Sequence, residues 1–204
     1  ALPIWKRIEK NFVKIPANIS SQFITSLLLI GASLENGLEI ELQGEITSRS
    51  YIKMTLKILK DIGIESRFER NSIKILSSES SLYNKQLDKH FHSSKIKHYT
   101  VESDWSSASY FYSLAAIGKK RIHLKSFYAF SLQGDSALKE IYLKFFGVNT
   151  ISDSAENQIA LIPDAHFQYP EKFILDMNDC PDIAQTVCVT CVALKLPFEI
   201  SGLG

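Results

Sequence analysis

The stretch SYIKMTLKILKDIGI, residues 50–64, decides the fold. Apolar side chains recur at helical spacing from Ser50 to Ile62, and the run stops at Gly63, the residue type that most easily adopts the left-handed backbone of a helix end. Two short runs, Ile64 to Phe68 and Ser72 to Leu76, follow as strands joined by a polar turn. The same pattern returns in DSALKEIYLKFFGV, residues 135–148, a helix from Asp135 to Phe146 that stops at Gly147 and leads into strands near Val148 to Ile151 and Gln158 to Ile162.

Working outward, Phe12 to Ile15 reads as a strand, Ser20 to Ser33 as a helix with Ile24, Leu27, Leu28 and Ala32 along one face, and Leu38 to Leu42 as an alternating strand. The first unit is therefore βαβαββ. Ahead of the second helix–stop stretch come a strand at Lys97 to Glu102, a helix at Ser106 to Ile117 and a strand at Arg121 to Lys125, which completes a second unit. A third copy opens with a strand at Phe173 to Asp176, a helix at Ile183 to Leu194 and a strand at Phe198 to Ser201. Helix starts at Ser20, Ser106 and Pro181 align the copies. The expected fold class is α/β in the broad sense (α+β), with repeated βαβαββ units shared between two domains. Residues 1–100 hold one unit and a polar crossover, Ser77 to Ser94; residues 101–204 hold one unit and a truncated repeat.

Composition narrows the function classes. Of 204 residues, 45% are hydrophobic and 22% charged, the balance of a folded globular chain. Lys plus Arg number 23 against 22 Asp plus Glu, a net charge of +1, so there is no basic field to hold a nucleic-acid backbone. The longest apolar run, around Leu27 to Ala32, falls far below the roughly 18 residues that span a bilayer. Ala1 and Gly204 do not read as native ends, and a targeting peptide would lie outside the stretch in view. Three cysteines, Cys180, Cys188 and Cys191, are too few and too clustered for a disulfide framework and fit a reducing compartment, so the expected location is the cytoplasm.

Several polar clusters sit where strands hand over to helices. Ser20-Ser21-Gln22 places two hydroxyls and an amide among the unpaired N–H groups of a helix start, which suits either simple capping or an anion such as phosphate. Ser48-Arg49-Ser50-Tyr51 occupies the equivalent turn before the next helix, with the same two readings, and Arg49 is either a phosphate clamp or an ordinary exposed charge. Asp176-Met177-Asn178-Asp179-Cys180-Pro181-Asp182 packs three carboxylates between a buried strand and an apolar helix. Such crowding favours raised pKa values and general-base chemistry, against a reading in which Asp179 and Asp182 cap the helix around Pro181; a divalent metal is a third reading. Asp104 to Tyr110 and Ser131 to Asp135 read as capping and packing devices. Cys188-Val189-Thr190-Cys191 lies in an apolar helix without a second such pair and reads as core rather than zinc or redox chemistry, and His90, His92 and His98 read as solvated loop residues.

Five strings, in this order and spacing, are together similar to the 5-enolpyruvylshikimate-3-phosphate synthase family. They are Ser20 to Phe23; Ser48 to Tyr51 with Ile52 and Thr55; Val101-Glu102-x-Asp104-x-Ser106 to Phe111; Leu132 to Asp135; and Asp176 to Asn178 with Pro181-Asp182. The resemblance covers almost the whole chain and implies a fold of two domains assembled from βαβαββ units. It implies attack by the 5-hydroxyl of shikimate 3-phosphate on phosphoenolpyruvate, through a tetrahedral intermediate that expels phosphate, with no metal and no organic cofactor. Carried over residue by residue, Ser20, Ser21 and Ser48 hold the phosphate of shikimate 3-phosphate, Tyr51 lines the pocket, and Gln22 lies between that substrate and phosphoenolpyruvate. Asp182 faces the shikimate hydroxyls as the proton acceptor. The segment Val101 to Asp104 is implied to cross between two domains that close on the ligands.

The chain departs from the family pattern at Arg49-Ser50, where Lys-Pro is usual, and at Ser103 and Trp105, where small residues are usual. The family's amino-terminal lysine and arginines and its Lys-Glu-x-Asp-Arg segment are not among these residues, so the expectation is a monomeric enzyme whose missing segments complete the site and little or no activity from residues 1–204 alone. Two alternatives remain in view: an enolpyruvyl transferase acting on UDP-N-acetylglucosamine, which uses a reactive cysteine in a basic loop, and a non-catalytic binding module, for example for RNA, which the near-zero charge disfavours.

Overall fold

The computed structural model describes residues 11–18, 20–46, 49–77 and 100–203, which fall into two compact units, residues 1–97 and 98–204. The expected crossover at Ser77 to Ser94, beyond Ser77 itself, and the histidines at 90, 92 and 98 lie outside the described residues.

In the first unit the order is β1 (Phe12–Pro16), α1 (Ser21–Ser33), β2 (Leu38–Gln43), α2 (Arg49–Asp61), β3 (Ser66–Glu69) and β4 (Ser72–Ile75). The four strands form one sheet in the order β1-β2-β4-β3. β1 and β2 run parallel, Phe12 opposite Glu39 and Pro16 opposite Gln43, as a strand–helix–strand crossover requires. The β3–β4 hairpin closes the other edge antiparallel. Ile52, Thr55, Leu56 and Leu59, three to four residues apart or adjacent along one face of α2, are all buried. They meet Ile24 and Leu28 of α1 and Ile40, Leu42, Ile73 and Ile75 of the sheet in one core, where each fully buried Ile or Leu contributes roughly 1.5–3 kcal/mol.

The second unit runs α3 (Trp105–Gly118), β5 (Ile122–Lys125), a 3-10 turn (Gly134–Ala137), α4 (Leu138–Phe146), β6 (Val148–Asp153) and β7 (Gln158–Pro163). It then continues with β8 (Phe173–Asp176), a second 3-10 turn (Pro181–Ile183), α5 (Ala184–Ala193) and β9 (Phe198–Ser201). The sheet β5-β7-β6 matches β2-β4-β3 of the first unit, and the parallel pair β8-β9 matches β1-β2. Helix ends fall at Gly63 and Gly147 as the sequence implies, Gly147 taking the left-handed cap at φ 66°. One aromatic-rich core, with Trp105, Tyr112, Tyr142, Phe146 and Phe173 fully buried, joins α3, α4, α5 and the strands.

Two expectations are corrected here. Residues 97–99 lie outside the described residues, and Thr100 to Glu102 form no strand. Their polar groups are taken by the loop after β5 instead: Ser103 N–H donates to the Ser126 carbonyl at 2.7 Å, and the Tyr128 hydroxyl to the Thr100 carbonyl at 3.1 Å. The helix expected from Asp135 begins at Leu138, because residues 134–137 wind more tightly as a 3-10 turn.

Small hydroxyls line the seam between α3 and α5. Ser109 Oγ donates to Thr186 Oγ1 at 2.9 Å. One turn further, Thr190 Oγ1 lies 2.8 Å from Ser113 Oγ, 2.9 Å from the Thr186 carbonyl and 2.8 Å from the Tyr142 hydroxyl of α4.

Candidate functional site

Because β1 and β2 are parallel neighbours, the turns that leave their carboxyl ends open on the same edge of the sheet, where ligands of open α/β sheets bind. Ala17 N–H donates to the Gln43 carbonyl at 2.8 Å and ties the two strand ends together just before they diverge. Ser20 is the N-cap of α1, in extended backbone at φ −49° and ψ 130°, and its Oγ accepts the Gln22 N–H at a long 3.4 Å. Ser20 and Gln22 are exposed and Ser21 is half-buried. No acidic residue occupies the first turn, so nothing there repels an anion from the positive end of the helix dipole.

At the adjacent helix start, Ser48 lies outside the described residues. Tyr51 is half-buried within the first turn of α2 and its carbonyl accepts the Thr55 hydroxyl at 3.1 Å. Arg49 points to the hairpin: its guanidinium donates to the Arg70 carbonyl at 3.0 Å and stacks 4.5 Å from the centroid of Phe68. Of the two readings of Arg49, the geometry favours a strut between α2 and the β3–β4 turn. Ser50 Oγ is buried without a hydrogen-bond partner among the described residues.

The acidic turn belongs to the second unit. Met177 is buried and its N–H donates to the Ser201 carbonyl at 2.9 Å, continuing the β8–β9 ladder by one step. The Asp176 carboxylate then accepts the Asn178 N–H at 3.0 Å, and Cys180 N–H closes a turn on the Met177 carbonyl at 3.0 Å. Pro181 opens the 3-10 turn as its first residue, suited to a position where an N–H would be orphaned. The cap positions are Cys180 and Ile183, and neither side chain bonds back to the helix; Asp182 stands inside the turn, exposed, with buried Ile183 and Ala184 behind it.

Burial, with the carboxylates of Asp135, Asp179, Asp176 and Asp182 around it, pushes the Cys180 thiol up to about 12. Cys191 is pushed up to about 11, by burial first and Cys188 second. Both stay neutral thiols at ordinary pH, which is the opposite of an activated nucleophile. Among the described residues, no three His, Cys, Asp or Glu side chains gather as a metal site.

A model of the EPSP synthase (3-phosphoshikimate 1-carboxyvinyltransferase) family matches residues 2–204. The chain belongs to the EPSP synthase family. It is 38% identical over 192 residues to the 3-phosphoshikimate 1-carboxyvinyltransferase of Bacteroides fragilis strain YCH46, covering 94% of this chain and 42% of that protein. The enzyme of the same name from Methanococcoides burtonii is 33% identical over 177 residues, covering 86% of this chain and 38% of that protein. That from Methanosphaera stadtmanae is 27% identical over 189 residues, covering 93% and 41%. The chain thus spans about 42% of the length of the first of these EPSP synthase relatives.

Within this chain, the segment leading into α3 is held by a carboxylate whose role sequence reading did not single out. Glu102 accepts from Trp105 Nε1 at 2.8 Å, Tyr128 N at 3.0 Å, Ser131 Oγ at 2.7 Å and Gln133 Nε2 at 3.2 Å. Gln133 in turn accepts the Trp105 N–H at 2.9 Å and donates to the Ser103 carbonyl at 2.9 Å. The signal was a carboxylate three residues before a buried Trp, with Ser and Gln nearby in a later loop. Asp104 caps α3; burial raises its pKa, but the Ser107 hydroxyl and the Ser106 and Ser107 amides outweigh that and hold it below the ordinary value. Ser106 also bonds to the buried Asp135 carboxylate. Trp105 fills the core edge-on to Phe127, with ring centroids 5.0 Å apart.

Proposed function

We propose that the complete polypeptide transfers the enolpyruvyl group of phosphoenolpyruvate to the 5-hydroxyl of shikimate 3-phosphate and releases phosphate, a step of aromatic amino acid biosynthesis, as a cytoplasmic monomer. The observation that carries this reading is the family match over residues 2–204, which includes both the hydroxyl-bearing helix starts of the first unit and the acidic turn of the second. In this reading Ser20, Ser21 and Ser48 receive the phosphate of shikimate 3-phosphate, and no acidic residue stands in the first turn of α1 or α2. Tyr51 lines the same pocket, and Gln22 bridges towards phosphoenolpyruvate.

Asp182 takes the proton of the attacking 5-hydroxyl. The hydroxyl oxygen bonds to the central carbon of phosphoenolpyruvate while its methylene carbon gains a proton, a net addition of O–H across the double bond; loss of a methyl proton with cleavage of the carbon–oxygen bond to phosphate then forms the enol ether, and the proton leaves with the phosphate. Residues 1–204 supply the acceptor's phosphate site and the base, and the remaining length of the polypeptide supplies the cationic grip on phosphoenolpyruvate, so residues 1–204 alone turn over little or nothing. The high thiol pKa values of Cys180 and Cys191 weigh against a cysteine-dependent enolpyruvyl transferase acting on UDP-N-acetylglucosamine.

The test measures phosphate released from phosphoenolpyruvate by the full-length polypeptide. The expected result is release that depends on shikimate 3-phosphate; release that depends on UDP-N-acetylglucosamine, with none for shikimate 3-phosphate, overturns the proposal.

A further inference from the structure

We propose that the buried hydroxyl seam between α3 and α5, with Thr186 at its head, sets the axial position of Asp182, making Thr186 and Ser109 positioning residues for proton transfer. The inference rests on the reading of Asp182 as the base. Asp182 stands two residues before α5, in the 3-10 turn Pro181–Ile183 that leads straight into that helix, and Thr186 follows it by about one helical turn. Because turn and helix are continuous, a displacement of α5 along its axis is passed straight to Asp182.

Most of the buried face of α5 is small and apolar: Ala184, Val187 and Cys191. Such packing is non-directional and resists sliding weakly. Hydrogen bonds, by contrast, weaken steeply away from their preferred length and angle. The pairs Ser109–Thr186 and Ser113–Thr190 share one separation, 77 residues, so α3 and α5 run side by side in the same direction with their hydroxyls in register. A slip of a single residue shifts α5 by roughly 1.5 Å along its axis and breaks both pairs at once. Ser109 and Thr190 are 1% and 0% exposed, so no water satisfies them in the wrong register. Tyr142 of α4 adds a third point of attachment at Thr190.

The reference helix is itself pinned. Asp104 caps α3, Ser106 bonds to Asp135, and the Glu102–Gln133 network holds Trp105 at its first position. The chain of constraint runs from that network through α3, across the seam, and along one turn of α5 to Asp182. Neither Ser109 nor Thr186 has to touch substrate.

The test is steady-state kinetics of the full-length polypeptide carrying Thr186→Val, Thr186→Ser or Asp182→Asn. Thr186→Val keeps the side-chain shape and removes the acceptor for Ser109. The expected result is a kcat lowered about 10- to 100-fold, the scale of a displacement near 1 Å, with KM for shikimate 3-phosphate within about threefold of the parent. Thr186→Ser is expected to recover kcat to within about threefold, because it restores the hydroxyl. A folded Thr186→Val with kcat within about twofold of the parent, a loss confined to KM, or a loss that Thr186→Ser does not recover overturns the proposal. If Thr186→Val does not fold, Ser109→Ala removes the same bond from the other helix and is held to the same kcat and KM criteria. Asp182→Asn separates the two levels: if it too turns over normally, the reading of Asp182 as base fails, whereas a crippled Asp182→Asn beside a normal Thr186→Val defeats the seam alone.

Discussion

The parallel pairs β1–β2 and β8–β9 are the same device built twice, and their turns carry opposite kinds of polar residue. In each, a strand leaves through a turn into a helix and returns to a parallel strand beside the first, with Pro16 opposite Gln43 in one and Asp176 opposite Ser201 in the other. In each, the residue after the second strand is a glycine with positive φ, Gly44 at 96° and Gly202 at 75°. The first pair opens its helix with hydroxyls and an amide and no acidic residue, and the second crowds Asp176, Asp179 and Asp182 into its turn. The backbone supplies a helix start at the sheet edge in both cases; in the function proposed above, the turn residues make one an anion site and the other the seat of a base.

The sharpest way to break this comparison is to remove the charge from the acidic turn. Asp182→Asn in the full-length polypeptide keeps the size of the side chain and abolishes its basicity. Phosphate release is expected to fall about 100-fold or more while shikimate 3-phosphate binds within a few-fold of the parent. Turnover near that of the parent would remove the base from this turn and leave the two pairs chemically alike.

The two glycines sharpen the comparison at the level of stability. A Cβ at Gly202 would stand 2.1 Å from Asp176 Oδ1 and 2.5 Å from Asn178 N, whereas at Gly44 nothing among the described residues lies within 4 Å. Gly44→Ala therefore meets only the left-handed backbone, about 1–2 kcal/mol. Gly202→Ala adds a collision with the acidic turn and is expected to cost about 2–4 kcal/mol in all. Denaturant unfolding of the two variants checks this. Equal losses would mean that the acidic turn yields freely and is not held against β9.

The bodies of the helices and strands were legible because burial imposes its period on the sequence: the buried set of α2, Ile52, Thr55, Leu56 and Leu59, falls at helical spacing within the helix expected from Ser50 to Ile62. At 100–102, the described part of the expected strand at 97–102, the alternation misled, because the polar groups of 100–103 are satisfied by the end of β5 and the loop after it, more than twenty residues away in sequence. At the candidate site, Ser20 and Asp182 stand out as polar residues between strand and helix. The targets of Arg49 do not, since nothing near residue 49 says that Phe68 and Arg70 come within reach. The seam is harder still: Ser109, Ser113, Thr186 and Thr190 look like small fillers on apolar helices, and only the folded arrangement pairs them across 77 residues.

The smallest expected effect separates anion binding from support within the first pair itself. Calorimetric titration of shikimate 3-phosphate into the full-length polypeptide is expected to show affinity lowered about tenfold or more by Ser20→Ala with Ser21→Ala, since a hydrogen bond to a charged group contributes about 1.5–3 kcal/mol. Arg49→Ala is expected to leave that affinity within about twofold and to lower unfolding stability by about 1 kcal/mol, the scale of one carbonyl hydrogen bond and one exposed cation–π contact. Its guanidinium is committed to Arg70 and Phe68, so its removal loosens the β3–β4 turn from α2 and takes nothing from the α1 start. The converse result, with Arg49→Ala weakening binding and the serine variant not, would move the anion site from the α1 start to the α2 start and make Arg49 its clamp.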